Sequence, residues 1–518
     1  MSSTVPNRIA AGWLFGILLL GLGLRIAFLL KGTAVMYHSP EYFALNGDSS
    51  SYTLAFENLW NKGRYTFDFL EPDAAFGRLP GYPFFYGAHW ILFGSERAAA
   101  ATAWSQVLLD TGAIGLIFAI LHRLEPHRPR TAYLGALLYA TYPFIIVWIP
   151  VMGTEILSVD LTLLWLWALL HWRPTAAYAL GLGMLLALGL LVREYMGILL
   201  PITFAWLLWQ CWAERERGLV RYAALVAVGF GLLYGGWPVR NYLLAHRLIL
   251  LKPRAAGYAN QTSDVDEFYQ WVHCWTPDEN PWLDSVLVGT GAVRFPAAAT
   301  FGSAATQAQA QRLVVQARQC GSGFWVLRSG AGNGTRYRNA AAMRADTAYQ
   351  RHHFQHCNAE IGAGFQALRQ QFMAEHPVRF CFDVPLQNLR KALFKSSLTT
   401  DQALAPRPAL PYTGLLRLLL GYRTALLLLG WGGLLVLKGQ RNARWLVAAV
   451  AGGLYFYICF LYRGLEMRYL LQADVLLLVP AALWLGRWWP ATLPNPEHQA
   501  ITAGPARSTS STKKPTKG

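Results

Sequence analysis

The chain has 518 residues, 54% of them hydrophobic and only 14% charged, with a formal net charge of +17. A soluble globular chain carries about 25% charged residues, so with a mean hydropathy of +0.27 this composition excludes an ordinary soluble domain. Nor does the positive charge point to nucleic acid. It is gathered between apolar runs, at Arg123, Arg128 and Arg130, at Arg215, Arg217 and Arg221, at Lys438, Arg441 and Arg444, and in the tail at Lys513, Lys514 and Lys517. That distribution reports membrane topology and anionic lipid.

Apolar runs near 20 residues recur, the length that crosses roughly 30 Å of hydrocarbon. Backbone groups in lipid must be satisfied within the segment, so these runs are helices. Ten spans are expected, at 9–30, 98–121, 131–150, 155–172, 175–192, 197–212, 220–238, 413–437, 445–462 and 469–486. Short and proline-containing runs leave about nine to thirteen open. The first is too long for a signal peptide. All the basic loops then share one side, which places both termini in the cytoplasm of a protein integral to the inner membrane.

Between the first two spans, residues 31–97 form an external loop with Glu41, Asp48, Glu57, Asp68, Glu71 and Asp73. Within it, Tyr82 to Phe93 is apolar but too short to span, which predicts a helix lying in the interface. Asp48 stands in Gly47-Asp48-Ser49-Ser50-Ser51-Tyr52, ahead of Arg78-Leu79-Pro80-Gly81-Tyr82-Pro83. An acid there serves either as a catalytic group or as a turn or N-cap residue for a helix through Tyr52 to Asn61. Both readings stay open.

Further along, Gln106 and Asp110 are one helical turn apart in the second span and suit a hydrogen bond between helices better than a site. Gly181 and Gly183, and Gly229 and Gly231, sit in spans, where small residues allow close helix packing. No Walker motif or dinucleotide fingerprint occurs. Several charges break the positive-inside trend. Arg25 lies in the outer half of the first span, Glu155 starts the fourth, Arg193 ends the fifth, Arg240 ends the seventh and Arg468 opens the tenth. Charges near spans are costly and often functional, and guanidinium groups grip phosphate with paired hydrogen bonds.

Residues 239–412 form a long external region, large enough for a small domain, with helical patterns over Ala340–Ala374 and Pro385–Lys395. Its cysteines, Cys274, Cys320, Cys357 and Cys381, allow two disulfides in three connectivities. His352, His353, His356 and Cys357 match no standard zinc spacing and read as a solvated helix face. The chain thus divides into an N-terminal transmembrane module (1–238), the external region (239–412), C-terminal transmembrane helices (413–490) and a disordered basic tail (491–518).

Taken in order, Gly47-Asp48-Ser49-Ser50-Ser51-Tyr52, Gly63-Arg64-Tyr65, Arg78-Leu79-Pro80-Gly81-Tyr82-Pro83, Tyr142-Pro143, Thr154-Glu155, Leu191-Val192-Arg193, Trp237-Pro238-Val239-Arg240-Asn241-Tyr242 and Arg468-Tyr469 resemble the bacterial glycosyltransferase family 39 proteins. These are similar to dolichyl-phosphate-mannose–protein mannosyltransferases. The likeness covers most of 9–242, thinly 413–486, and fails over 239–412. It implies a GT-C-like all-α polytopic membrane bundle whose external first loop carries a catalytic acid, and a lipid-phosphate-linked sugar donor. The acid carries over to Asp48. Ser49 and Gly77 stand where some relatives have a second acid.

Transfer from such a donor needs a base for the acceptor hydroxyl and cations for the departing phosphate. The expected base is Asp48. Arg78, Arg193, Arg240 and Arg468 are the candidate phosphate partners, Tyr52, Tyr82 and Tyr469 the candidate sugar contacts, and Glu155 the alternative acid. No cofactor is expected, with a divalent cation left open. The expected partners are a polyprenyl-phosphate sugar, a lipid, glycan or protein acceptor, and the bilayer. Two other readings remain at this stage: a transporter or flippase of lipid-linked saccharide, and a glycan ligase or polymerase.

Overall fold

The computed structural model describes residues 5–45, 48–69, 72–214, 218–252, 262–277, 279–296, 300–328, 357–394, 410–436, 439 and 441–488. Among them the regular elements are helices, and a lone β-bridge joins Ala44 to Val151. The chain is an all-α, multi-pass membrane protein. Its membrane body comprises α1 (Val5–Ala27), α2 (Ser49–Lys62), α3 (Gly81–Phe93), α4 (Ala98–Leu124), α5 (Pro129–Ala140), α6 (Glu155–Leu170), α7 (Ala176–Val192), α8 (Leu199–Glu214), α9 (Gly218–Tyr234) and α10 (Gly236–Ala245). Further along the chain come α14 (Val384–Phe394), α15 (Leu410–Val436), α16 (Arg441–Phe456) and α17 (Leu471–Arg487).

The expected spans differ in length. Among the described residues five helical stretches are long and apolar enough to cross a membrane: Gly12–Tyr37, Ala98–Leu124, Glu194–Trp212, Arg417–Val436 and Arg441–Tyr462. A sixth appears if Val220–Tyr234 and Gly236–Ala245, bent by 46°, form one span. The apolar run 131–150 fails because α5 has only 12 residues. It stops where Tyr142, extended at ψ 104, precedes Pro143, and a residue before proline is pushed out of helical geometry. Helices α6, α7 and α17 have 16, 17 and 17 residues. Helix α17 is almost wholly buried, including Pro480.

Two sequence features act inside the bundle. A Cβ on Gly183 would strike the Val226 carbonyl, and one on Gly229 the Leu180 carbonyl, so these glycines let α7 and α9 cross in contact. Asp110 accepts from Arg25 Nε at 2.6 Å and from the Tyr139 hydroxyl, all three buried. Gln106 instead donates to the Ile149 carbonyl at 2.6 Å. Arg25 is therefore consumed inside the bundle and does not reach the outer charges.

The helices between α10 and α14 build a core of their own. Helices α11 (Ser263–Val272), α12 (Ala304–Cys320) and α13 (Cys357–Glu375) enclose Phe268, Trp271, Phe324 and Phe365. By contrast α14 joins the membrane body: Asn388 Nδ2 donates to the Cys459 carbonyl at 3.2 Å, and Arg423 Nη1 to the Ala392 carbonyl at 2.7 Å. The expectation of two disulfides is also corrected. Cys320 and Cys357 are bonded, whereas Cys274 is a buried thiol and Cys381 an exposed one. The expected helix over 340–356, with His352, His353 and His356, and the tail 491–518 lie outside the described residues.

Candidate functional site

Two local devices bring the first loop onto the bundle. Ala44 N donates to the Pro150 carbonyl at 2.7 Å, and Met152 N to the Ala44 carbonyl at 3.1 Å. From that bridge the chain runs four residues on to Asp48 on one side and four on to Glu155 on the other. The second device is Gly81. A Cβ there would lie 2.7 Å from the Leu191 carbonyl carbon and oxygen and from Val192 N. Only glycine lets the Arg78 loop touch the end of α7, just before Arg193.

Asp48 occupies the N-cap position of α2, but its side chain makes no capping bond. It faces two guanidinium groups instead. Arg78 Nη2 donates to Oδ1 at 2.7 Å, and Arg468 Nη1 lies 2.6 Å from Oδ2. Arg78 is held on its other nitrogens too: Nε donates to Ser51 Oγ at 2.7 Å and Nη1 to the Tyr52 hydroxyl at 3.2 Å, with the Tyr52 ring 4.2 Å beneath. Glu155 Oε1 is 3.0 Å from Arg193 Nη1 and 3.8 Å from Arg468 Nη1. Glu466 completes the group, its Oε2 2.6 Å from Arg468 Nε. An alternating row results, Arg78–Asp48–Arg468–Glu155–Arg193, with Glu466 on its flank.

Tyrosines wall the row. Arg193 lies over Tyr195 at 4.6 Å and over Tyr469 at 5.6 Å. Tyr469 donates to Glu466 Oε1 at 3.0 Å. Tyr82 meets Tyr52 edge-on and donates to Gln106 Oε1 at 3.1 Å. Glu155 and Arg193 are almost fully buried, with side-chain exposures of 4% and 6%, whereas Asp48 keeps 33%. That gradient leaves the acid of the first loop accessible. Burial alone would raise the Asp48 pKa, but the charges and hydrogen bonds of Arg468 and Arg78 outweigh it and hold the carboxyl well below the usual carboxylate range.

The structure thus brings together Asp48, Tyr52, Arg78, Glu155, Arg193, Arg468 and Tyr469, with Tyr82 behind Tyr52. Arg240 goes elsewhere. Its Nη1 donates to the Ala75 carbonyl at 2.7 Å and its Nη2 to the Tyr65 carbonyl at 3.1 Å, so it pins the backbone of the first loop. Three participants escaped sequence reasoning: Ser51, Tyr195 and Glu466. Only Glu466 carried a signal, an acid two residues before Arg468. The carboxylate contacts fall on Nη1 and Nε of Arg468 and on Nη1 of Arg193. No group of three or more His, Cys, Asp or Glu in them is arranged to hold a metal. At the other end of α6, Arg123, Leu170 and Arg441 line a cavity of about 440 Å³, so the acid–arginine row and the arginine-rich loops occupy opposite ends of the bundle.

Residues 77–234 match the family model described as dolichyl-phosphate-mannose-protein mannosyltransferase. The resemblance read from the residues is thus matched over that segment, which includes Arg78, Tyr82, Glu155 and Arg193. Among solved structures, the chain is similar to the archaeal oligosaccharyltransferase AglB from Archaeoglobus fulgidus in complex with an inhibitory peptide and a dolichol-phosphate. Identity is 13% over 93% of this chain and 51% of that one, with a TM-score of 0.47, so this chain spans about half the length of that relative. It is also similar to ArnT from Cupriavidus metallidurans in the apo state, at 15% identity over 90% of this chain and 77% of that one, with a TM-score of 0.32. No curated protein matches.

Proposed function

We propose that this protein is a membrane glycosyltransferase that moves a sugar from a polyprenyl-phosphate donor to an acceptor hydroxyl, at the membrane face opposite the arginine-rich loops. The observation that carries this reading is the convergence of an accessible acid with three arginines in one row. Arg193 and Arg468 hold the donor phosphate, because they meet the row through ion pairs, whereas all three nitrogens of Arg78 are taken by hydrogen bonds. Arg78, with its three nitrogens on Ser51, Tyr52 and Asp48, is the clamp that orients the acid. Arg240 maintains the loop and contributes to donor binding only through it.

In the reaction the acceptor oxygen forms a bond to the anomeric carbon. The bond from that carbon to the phosphate oxygen breaks, its electron pair stays on the phosphate, and the acceptor proton passes to Asp48. Arg193 and Arg468 meet charge that grows on the leaving phosphate, where prearranged cations lower the barrier. No bound nucleotide is needed, since the donor's own linkage supplies the driving force. Tyr52 and Tyr469 offer flat faces and hydroxyls for the sugar, whereas Tyr82, fully buried with its hydroxyl on Gln106, backs Tyr52 and does not meet the sugar itself.

Binding of a polyprenyl phosphate to the purified full chain tests the assignment without knowledge of the acceptor. Arg193→Lys and Arg468→Lys keep the charge, and so spare Glu155 from burial without a partner, but lose the fork. Each should weaken binding by about ten- to a hundredfold, the worth of a charge-assisted bond. Arg247→Ala, which removes an exposed pair with Asp73, should leave binding unchanged. Equal affinity in all variants would move the phosphate away from this row.

A further inference from the structure

The proposed reaction leaves two carboxylates at the row without a task, and of these Glu466 is partly exposed whereas Glu155 is buried. Glu466 lies in the segment 463–469 after the span Arg441–Tyr462, where the chain turns through Arg463 at φ 67. Its side chain is 34% exposed and grips Arg468 by Nε, while Tyr469 fixes its other oxygen. Arg468 is therefore shared. Its Nε belongs to Glu466, and its Nη1 lies 2.6 Å from Asp48 and 3.8 Å from Glu155.

The two arginines on Asp48 differ in how they are tied. Arg78 is bound to the first loop through Ser51 and Tyr52 as well as Asp48, so acid and clamp move as one unit. Arg468 comes from the far end of the sequence and touches the first loop through Asp48. The groups that face Asp48 are Arg78 and Tyr52 from the first loop, Arg468, Tyr469 and Glu466 from 463–469, Glu155 from α6, and Arg193 with Tyr195 after α7. Three arginines there meet three carboxylates, and the row is formally neutral before any ligand arrives. A phosphate entering beside Arg193 and Arg468 therefore competes for their charge with the carboxylates of the row.

We infer that the donor releases its own base: its phosphate draws the Nη edge of Arg468 away from Asp48, and Glu466, holding Nε, is the positioning residue that keeps Arg468 in place while it changes partner. This rests on the reading that Arg193 and Arg468 bind the donor phosphate. Before the donor binds, Asp48 is neutralised by two guanidinium groups and is a poor proton acceptor. Once it binds, Asp48 has one guanidinium fewer, stands beside an added negative charge, and takes up the acceptor proton more readily. The order of events follows, with donor before proton transfer.

Proton counting during binding tests this. The full chain in detergent is titrated at pH 5 with a polyprenyl methyl phosphate diester, whose single charge does not titrate, in buffers of different ionisation enthalpy. Wild type should take up a fraction of a proton on binding, and the uptake should vanish at pH 7. Asp48→Asn should bind at least as well with no uptake at pH 5. Glu466→Gln should bind the diester about tenfold more weakly, the loss of one charge-assisted bond, and raise the donor KM more than it lowers kcat, while Glu466→Asp restores most of both. Equal proton uptake in wild type and Asp48→Asn would overturn the release of Asp48, with the donor reading intact. Unchanged binding in Glu466→Gln would overturn the role of Glu466. Failure of wild type to bind the diester would overturn the donor reading, and the inference with it.

Discussion

Asp48 carries two guanidinium groups on one carboxylate, and this dictates what its replacement does. Asp48→Asn keeps the shape and much of the hydrogen bonding but cannot accept a proton. Turnover should fall by about 10²–10⁴-fold, about 3–5 kcal/mol of barrier, while donor affinity holds or tightens because Arg468 is freed. Kinetics paired with a binding measurement check this. The pH dependence has a definite sign. A carboxyl held below its usual range in the folded protein favours folding above its unfolded pKa of about 3.9 and loses that contribution as pH falls further. In the free enzyme it stays ionised there too, so kcat/KM should show no acid limb down to about pH 5, whereas the limb in kcat, set by the donor-bound enzyme, should lie at higher pH. Coincident limbs would count against a donor-dependent base. The sequence made Asp48 and Arg78 legible because their motifs are short and local. It did not separate Arg468 from Arg25 or Arg240. Position along a helix gives the height of a side chain, and not the direction in which it turns: Arg25 turned inward to Asp110, and Arg240 to the loop backbone.

Among the elements, the contact between Gly81 and the Leu191–Val192 backbone couples the first loop to Arg193. Gly81→Ala must push the loop away from α7, and overpacking of this kind costs about 1–3 kcal/mol. We expect turnover to drop by at least about tenfold with a modest fall in Tm, the loss in catalysis exceeding what residual folding explains. Wild-type turnover in Gly81→Ala would show that the loop does not need this approach. Gly229→Leu, which drives a side chain into the Leu180 carbonyl, should lower Tm and activity together. Helix identity was legible because apolar runs in lipid must be helical. Helix length was less so. Inside a bundle a helix is covered by protein, so α6 and α17 can be short, and hydropathy alone cannot tell a covered helix from one that meets lipid.

For the whole molecule, the described helices between α10 and α14 have their own aromatic core and one disulfide, and α14 joins the membrane helices. Burial pushes the Cys274 thiol up to about 12, so Cys381 should react with a thiol reagent in the native protein and Cys274 only on unfolding. Non-reducing mass spectrometry should link Cys320 to Cys357 alone. A link between Cys274 and Cys381 would contradict this packing. Four cysteines in one region gave the sequence no means to choose, since pairing depends on which thiols the fold brings near.

The central claim is that the row built around Asp48 transfers sugar from a lipid phosphate. The purified full chain, reconstituted in vesicles, is supplied with polyprenyl-phosphate sugars of defined sugar together with a panel of lipid, glycan and peptide acceptors, and free polyprenyl phosphate is measured over time. The account predicts acceptor-dependent release of polyprenyl phosphate from at least one donor, reduced by about 10²–10⁴-fold in Asp48→Asn. Release at the wild-type rate by Asp48→Asn, or intact donor carried across the vesicle membrane without cleavage, would contradict it.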